Sequence, residues 1–332
     1  MKLSLSVRLA ALAQSLFVLA AFATPNPIAG TSNIAVRDPA IWHNSDNGKY
    51  YLFATDGNIG TWTSTALAGP YTYVGAVLPD CSIIQLDGHC DLWAPDVNYY
   101  DGEYVLYYSV STINSQNSAI GVATSASMDP GTWTDHGEVI SSAAGDVYNA
   151  IDPNLIDWNG LKLSFGSYWQ GMYQIGLYPD VATQASALPG THLAGANGRA
   201  AEGGFTYKSA ASSYYFFFFS SGITPLSGSS SRPAAGDEYK VLVGRGAGGM
   251  GPFYDANGND LTLDLSPVTG TLVLGSHDNV YAPGGQSIFL DPISNRDVII
   301  YHYELLSGAI GGPSYLGINY LDFSSGWPVV VS

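Results

Sequence analysis

Hydrophobic residues along this chain occur in short β-branched and aromatic runs, separated by glycine, asparagine, aspartate and serine. An amphipathic helix would instead place apolar residues every three to four positions over a longer stretch. That period is nearly absent. Runs such as Lys49–Thr55, Glu103–Ser109 and Ser213–Ser221 are typical of buried strands. The pattern therefore predicts an all-β fold made of many short strands.

The predicted strands fall into five units that share one order. Each unit has an opening strand marked by proline or glycine, a strongly hydrophobic second strand, and a third strand that often contains Ile-Gly or a similar pair. The opening strands are Arg37–Trp42, Ala94–Tyr100, Ile151–Asp157, Glu202–Tyr207 and Ala282–Phe289. Radial repetition of small sheets predicts a five-bladed β-propeller. A β-sandwich of short strands is the alternative, and we favour the propeller because the opening motif recurs in phase.

Residues 1–23 are predicted to be a secretory signal peptide. Lys2 and Arg8 precede an apolar run, and Ala21-Phe22-Ala23 is a small-x-small cleavage site. The alternative is a membrane anchor, but the run is shorter than the roughly 20 residues that a span needs. We expect a secreted protein whose residues 24–332 form a single domain. Within it, Gln184–Arg199 and Gly222–Gly236 are rich in small residues and are predicted to be loops.

The chain is strongly acidic, with a formal charge of −16 that becomes −18 once Lys2 and Arg8 are removed. Such a surface repels phosphates, so a nucleic acid partner is not expected. No second apolar segment of membrane-spanning length is present, so no membrane partner is expected either. A neutral substrate fits this charge better, and we expect the protein to act as a monomer.

The chain contains two cysteines, Cys81 and Cys90. In an oxidising compartment a nearby pair can form a disulfide, which we predict here; two free thiols are the alternative. His89 adjoins Cys90, but two cysteines and one histidine are too few for a convincing zinc site.

Acidic residues lie near the heads of four opening strands: Asp38, Asp96, Asp152 and Glu202. In a propeller the first strand of each blade lines the axis, so these residues converge although they are far apart in sequence. Carboxylates this close repel each other, and at least one should be protonated or paired with a cation. Such a set suits acid–base cleavage of a glycosidic bond. Turn capping by Asp-Pro is the alternative, and the shared phase of the acids favours catalysis.

Aromatic residues are abundant, with 23 tyrosines, 12 phenylalanines and 7 tryptophans. Trp93 and Trp169 adjoin two of the strand heads, where flat rings could stack on the C–H faces of a sugar. Most other aromatics, including Phe216–Phe219, are expected to pack in the core.

Seven motifs in order resemble glycoside hydrolase family 43, in particular its fungal endo-1,5-α-L-arabinanases. They are RDPAI, DLWAPDV, YNAIDPNLI, FGSYW, AEGG, YAPGGQ and FSSGWPVV, and they span about Val36 to Val330. The resemblance implies a five-bladed propeller and inverting cleavage of internal α-1,5-L-arabinofuranosidic bonds in plant cell-wall arabinan. It implies that Asp38 is the general base and Glu202 the general acid. Asp152 would orient Glu202 and raise its pKa.

The same resemblance and the aromatic pattern predict a set of substrate-contacting residues. They are Asp38, Trp93, Asn114, Asn149, Ala150, Ile151, Asp152, Ser167, Tyr168 and Trp169. Asn114 stands where relatives often have glycine.

The resemblance also raises the question of a metal ion. Many relatives carry an axial histidine that holds calcium or sodium through water, and Gly285 stands in its place here. His277 is close in sequence. We expect that no cofactor is required.

Two other functions stay open at this point. One is an exo-acting arabinofuranosidase or β-xylosidase of the same family, and the other is a sugar-binding propeller without catalysis. The three matched acids favour an enzyme, since a lectin needs no paired acid and base. Whether the enzyme is endo- or exo-acting depends on the shape of the cleft.

Overall fold

In the part of the chain that the structure describes, twenty strands form five four-stranded antiparallel sheets, and the strands of each sheet are neighbours in chain order. The computed structural model describes residues 23–28, 31, 34–55, 57–224 and 228–332. The predicted signal peptide lies outside the described residues except for Ala23. Within the described ranges, no helix is long and apolar enough to cross a membrane. The five sheets confirm the predicted five-bladed β-propeller.

The strands match the predicted units closely. The first two blades contain β1 (Ala40–Asn44), β2 (Lys49–Ala54), β3 (Gly60–Ser64), β4 (Thr72–Ala76), β5 (Trp93–Tyr100), β6 (Glu103–Val110), β7 (Ser118–Ser125) and β8 (Thr134–Ser142). The third and fourth blades contain β9 (Asn154–Asp157), β10 (Leu161–Phe165), β11 (Met172–Gly176), β12 (Thr191–Ala194), β13 (Ala201–Tyr207), β14 (Tyr215–Ser221), β15 (Lys240–Gly246) and β16 (Thr271–Leu274). The fifth blade contains β17 (Val280–Asp291), β18 (Arg296–Leu305), β19 (Tyr315–Asp322) and β20 (Val329–Val331).

The second strand of each blade is the most hydrophobic because neighbouring blades cover both of its faces. Phe216–Phe219 of β14 are fully buried, and they alternate between the core shared with the fifth blade and the core shared with the third. Each pair of adjacent blades has such a core. Burying one phenylalanine side chain contributes roughly 1.5–3 kcal/mol, so these layers fix the blade angles and hence the strand heads.

The ring is closed by the N-terminal segment, which runs along the fifth blade. The backbone N–H of Ile28 donates to the carbonyl of Ile318, and that of Val36 donates to the carbonyl of Ser314. Leu316 returns a hydrogen bond to Ile34. These contacts lead directly into the first blade and place Asp38 beside the fifth.

One predicted loop is wrong in part. Gln184–Arg199 contains β12, which pairs with β11. Its strand is only four residues long, and alanines and glycines surround it, so it carries little hydrophobic signal. The described residues of Gly222–Gly236 form no strand, as expected.

The predicted disulfide joins Cys81 and Cys90, with their Cα atoms 4.4 Å apart. The bridge lies in the loop between β4 and β5, just before Trp93. Cys81, His89 and Cys90 form the one His/Cys/Asp/Glu group with metal-like spacing in the described part of the chain. Because both sulfur atoms are bonded to each other, this group offers no thiolate ligand.

Candidate active site

A cleft of about 1270 Å³ opens where the inner strands begin, and residues from all five blades line it. It is larger than the roughly 300–1,000 Å³ of common small-molecule pockets. The structure brings all three predicted catalytic carboxyls and all but one of the predicted substrate contacts to this cleft. Those lining it are Asp38, Trp93, Asn114, Asn149, Ile151, Asp152, Ser167, Tyr168, Trp169 and Glu202.

Ala150 is the exception among the predicted substrate contacts. It is fully buried, does not line the cleft, and its backbone N–H donates to Ser142 Oγ at 2.9 Å. The prediction that Ala150 contacts substrate is therefore not supported by its position. Its neighbours Asn149 and Ile151 do reach the wall of the cleft.

The strand heads have an unusual backbone that turns side chains toward the axis. Asp38 (φ 44°) and Asp152 (φ 57°) adopt the left-handed conformation immediately before a proline. Ala94, also before a proline, has the same conformation with φ 47°. Non-glycine residues rarely adopt this conformation, and such strained positions cluster at functional sites. The shared geometry shows that these three residues occupy equivalent places in the first three blades.

Asp96 lies two residues beyond that place, and its hydrogen bonds give it a structural role that the other three acids do not share. Its carboxylate accepts hydrogen bonds from the Leu155 N–H at 2.8 Å and from the side chains of Asn98 and Asn154. Burial raises the pKa of Asp96 to about 6 even though these donors oppose it. Ala94 holds the position in the second blade that Asp38 and Asp152 hold in theirs, so the Asp96 carboxylate is offset from them by two residues.

Asp38 is held as an anion among donors. Thr55 Oγ1 donates to its Oδ2 at 2.6 Å, and His302 Nδ1 lies 3.4 Å from its Oδ1. Burial raises the pKa of Asp38, but His302, the charge of Arg37 and the Thr55 hydroxyl together lower it below its usual range.

His302 can hydrogen-bond Asp38 in two ways, depending on the protonation of its ring. The Asp38 backbone N–H donates to its Nδ1 at 3.1 Å, which requires a neutral ring; a protonated ring would instead donate to the carboxylate. Burial lowers the pKa of His302 and favours the neutral ring. The charge of Arg37 and the Thr55 hydroxyl also stabilise the Asp38 anion.

Glu202 and Asp152 lie in surroundings that raise their pKa values, whereas the surroundings of Asp38 lower its pKa. Glu202 accepts hydrogen bonds from Ser167 Oγ at 2.7 Å and from the Tyr239 hydroxyl at 2.8 Å, and Asp152 accepts one from the Gly203 N–H at 3.0 Å. Burial raises the pKa of Glu202, the charge of Asp38 adds to this, and the two hydroxyls and Arg37 oppose it. Burial, then the charges of Glu202 and Asp38, raise the pKa of Asp152 well above its usual value.

These two carboxyls titrate as a pair, because ionising both would place two negative charges together in a buried site. The pair therefore keeps a proton to higher pH than an ordinary carboxyl does. Asp38, by contrast, stays ionised down to a lower pH than an ordinary aspartate does. The cleft thus presents a carboxylate and a protonated carboxyl at the same time.

Sequence reasoning missed the residues that support the three acids. Thr55 and His302 hold Asp38, Ser109 Oγ accepts the backbone N–H of Asp152 at 3.0 Å, and Tyr239 holds Glu202. Each is one of many similar residues in a strand or at its end. Ser109 and His302 reach an acid of the neighbouring blade, whereas Thr55 and Tyr239 belong to the blade of the acid that they support. In both cases the contact exists only in the folded chain.

The family's axial metal ligand has no counterpart at position 285. A Cβ atom on Gly285 would lie 2.3 Å from Asp38 Oδ1 and 2.6 Å from His302 Nδ1, so no histidine side chain fits there. His277 lies at the start of the fifth blade, where its Nδ1 is 2.9 Å from the Gly275 carbonyl. Gly285 therefore cannot be replaced by the family's histidine without displacing Asp38 or His302. The expectation that no cofactor is required stays a prediction, and no chemical step below passes through a metal.

Known proteins match this chain over nearly the whole described domain. The family model for glycosyl hydrolases family 43 matches residues 24–328. A probable arabinan endo-1,5-alpha-L-arabinosidase A from Aspergillus clavatus is 45% identical over 320 residues, which cover 93% of this chain and 94% of that protein.

Solved structures share the fold as well. A GH43 endo-arabinanase from Bacillus licheniformis superposes with a TM-score of 0.74 at 30% identity, over 90% of this chain and 98% of the other. An exo-1,5-alpha-L-arabinanase from a bovine ruminal metagenomic library gives 0.76 at 29% identity, over 91% and 98%. Because the family model spans nearly the whole described domain, this chain belongs to glycosyl hydrolases family 43, as its motifs predicted.

Proposed function

We propose that this protein is a secreted, inverting endo-1,5-α-L-arabinanase that cleaves internal bonds of arabinan. The observation that carries the proposal is the contrast between two carboxyl environments in one cleft. Asp38 has a lowered pKa, whereas the Glu202–Asp152 pair has raised pKa values. Titratable groups whose environments push their pKa values apart are the mark of a general base facing a general acid.

In this mechanism Asp38 takes a proton from a water molecule as the water oxygen attacks the anomeric carbon. The bond between that carbon and the glycosidic oxygen breaks, and the oxygen receives the proton of Glu202. Asp152, by its negative charge, resists ionisation of Glu202 and so keeps the acid protonated at working pH. After product release, Asp38 returns its proton to solvent and Glu202 regains one.

Inversion requires room for the attacking water between Asp38 and the sugar. We therefore expect the carboxyl groups of Asp38 and Glu202 to be roughly 6.5–9.5 Å apart when substrate is bound. A separation of about 5 Å would belong to a retaining enzyme, in which one carboxylate attacks the sugar itself.

The substrate proposal rests on charge, shape and relatives. A chain with formal charge −16 favours a neutral polysaccharide. Trp93 and Trp169 on the wall of the cleft suit stacking on sugar rings. The fungal relative is described as endo-acting, and a cleft lined by all five blades can hold several sugar units. Secretion rests on the predicted signal peptide, with the disulfide as a compatible feature.

The mode of action is tested with linear, debranched arabinan. An endo-enzyme should lower the viscosity of the solution early, while few reducing ends have formed, and release a range of oligosaccharides. It should act poorly on an aryl α-L-arabinofuranoside that carries one sugar. Release of a single short product from the first minutes, without an early viscosity drop, would instead indicate exo action.

A further inference from the structure

The Tyr239 side chain connects the acid to the rest of the active site. Tyr239 immediately precedes β15 in the fourth blade and is almost completely buried, with 3% of its surface exposed. Its hydroxyl donates to Glu202 Oε1 at 2.8 Å, while Ser167 Oγ donates to the other carboxylate oxygen. Both oxygens of the acid are therefore held, one of them by a rigid ring that has only two side-chain torsions.

The ring of Tyr239 packs over Gly284 and beside His302. A Cβ atom on Gly284 would lie 2.2 Å from two carbons of the Tyr239 ring, so the ring occupies the space above this glycine. Its other contact is His302, whose ring is nearly parallel to it at 5.8 Å between centroids. Because His302 also contacts Asp38, two neighbouring rings connect the acid to the base, one contacting each carboxyl.

Each of the two adjacent glycines of the fifth blade leaves space for the surroundings of a different carboxylate. Gly284 makes room for Tyr239, which holds Glu202, and Gly285 makes room for Asp38 and His302. Any side chain at either position would displace one of these groups. This gives a physical reason for Gly-Gly at a strand head where other blades carry an acid.

A chain of hydrogen bonds continues from Tyr239 to Asp152. Ser220 Oγ contacts the Tyr239 hydroxyl and donates to Gln286 Oε1 at 2.7 Å. Gln286 Nε2 donates to the Gly203 carbonyl at 2.7 Å, and the Gly203 N–H donates to Asp152. The Tyr239 hydroxyl donates to Glu202 when the acid is ionised, and it can accept a hydrogen bond from Glu202 when the acid is protonated.

From this geometry we propose that Tyr239 is a positioning residue that orients Glu202 and limits how tightly the acid holds its proton. The proposal rests on the function proposed above and assigns a role to a residue outside the three acids. The charged and titratable groups facing Glu202 are Asp38, Asp152, Arg37, Tyr168 and Tyr239. Among them Tyr239 and Arg37 stabilise the Glu202 anion, and Asp38 and Asp152 oppose it.

The direction of the effect follows from which form the hydroxyl stabilises. Tyr239→Phe keeps the ring over Gly284 but removes the donor, so the ionised form of Glu202 becomes less stable. The upper pKa of the kcat/KM profile should rise by about one unit, since a hydrogen bond to a charged group is worth about that much. Loss of orientation should also lower kcat about tenfold at the optimum. Strengthening the donor, by Tyr239→3-fluorotyrosine, should move the upper pKa down.

The test compares pH profiles on linear arabinan for the wild type, Tyr239→Phe and Tyr239→3-fluorotyrosine. Tyr107→Phe is the matched control, because it removes a buried hydroxyl, bonded to the Val181 carbonyl at 2.6 Å, away from the cleft. Opposite shifts of the upper pKa, with none in Tyr107→Phe, support the proposal. A packing role alone would not move the two variants in opposite directions.

The proposal is overturned if both Tyr239 variants keep the upper pKa of the wild type, or shift it the same way. If Tyr239→Phe does not fold, as judged by its melting curve, the fluorinated variant alone decides, since it keeps the ring and the hydroxyl. The activity of Glu202→Gln distinguishes failure of the proposed function from failure of the Tyr239 proposal. If the proposed function fails, Glu202→Gln retains wild-type activity, whereas failure of the Tyr239 proposal leaves Glu202→Gln inactive and only the pH profiles unchanged.

Discussion

Glu202→Gln should lower kcat/KM on linear arabinan by about 10³-fold, within the range that a general acid contributes. Glutamine matches the shape of glutamate, and its carbonyl oxygen can accept from either Ser167 or Tyr239 while its amide nitrogen donates to the other hydroxyl. It has no acidic proton to release to the glycosidic oxygen. The loss should therefore appear in kcat with little change in KM.

A substrate with a good leaving group distinguishes the role of the acid from the role of the base. On an aryl arabino-oligosaccharide whose leaving group is a nitrophenolate, departure needs no proton, so Glu202→Gln should lose much less activity. Asp38→Asn should stay inactive on both substrates, because activation of water is still required. Glu138→Gln, an exposed change on β8, is the matched control. Equal losses for Glu202→Gln on both substrates would contradict the role of Glu202 as acid.

Asp152→Asn should lower kcat about 10²-fold and shift the upper pKa of the kcat/KM profile downward. Asparagine keeps an oxygen that can accept from Gly203, so the fold should be retained. It removes the negative charge whose repulsion holds a proton in the pair. With that charge gone, Glu202 ionises at lower pH, and the alkaline side of the profile moves to lower values.

The control for this prediction is Asp157→Asn, an exposed change at the end of β9. It carries the same chemical change a few residues away and should leave the profile as in the wild type. If Asp152→Asn lost activity without moving the upper pKa, Asp152 would act only as a turn and strand-head residue. The upper pKa should fall in Asp152→Asn and rise in Tyr239→Phe. Asp152 destabilises the ionised form of Glu202 and Tyr239 stabilises it, so the two variants test opposite influences on the same ionisation.

The fold was predictable from the sequence because the second strands carry a strong signal. Strands such as β6 and β14 are buried on both faces, so they appear as unbroken hydrophobic runs. The weak point was β12, whose four residues lie among alanines and glycines and gain their order from pairing with β11. Short outer strands take their structure from the neighbouring strand, and local sequence does not record that contact.

The catalytic acids were predictable because they recur in phase at the strand heads. Their supporting residues were not predictable, since Thr55, Tyr239 and His302 lie 17, 37 and 264 residues from the acids that they contact. Only the folded chain brings each of them to its acid. Tyr239 is one of 23 tyrosines, and no local feature distinguishes it. Ala150 shows the reverse case, because a residue inside a matching motif can still be turned into the core.

The central claim is that Asp38 directs water to the face of the sugar opposite the bond that Glu202 protonates. Proton NMR of the first product from linear arabino-oligosaccharides, recorded before mutarotation, tests it most directly. The account predicts a β-anomer at the newly formed reducing end, the inverse of the α-linkage that was cut. An α-anomer as the first product would contradict the account, because it would require a carboxylate to attack the sugar in place of water.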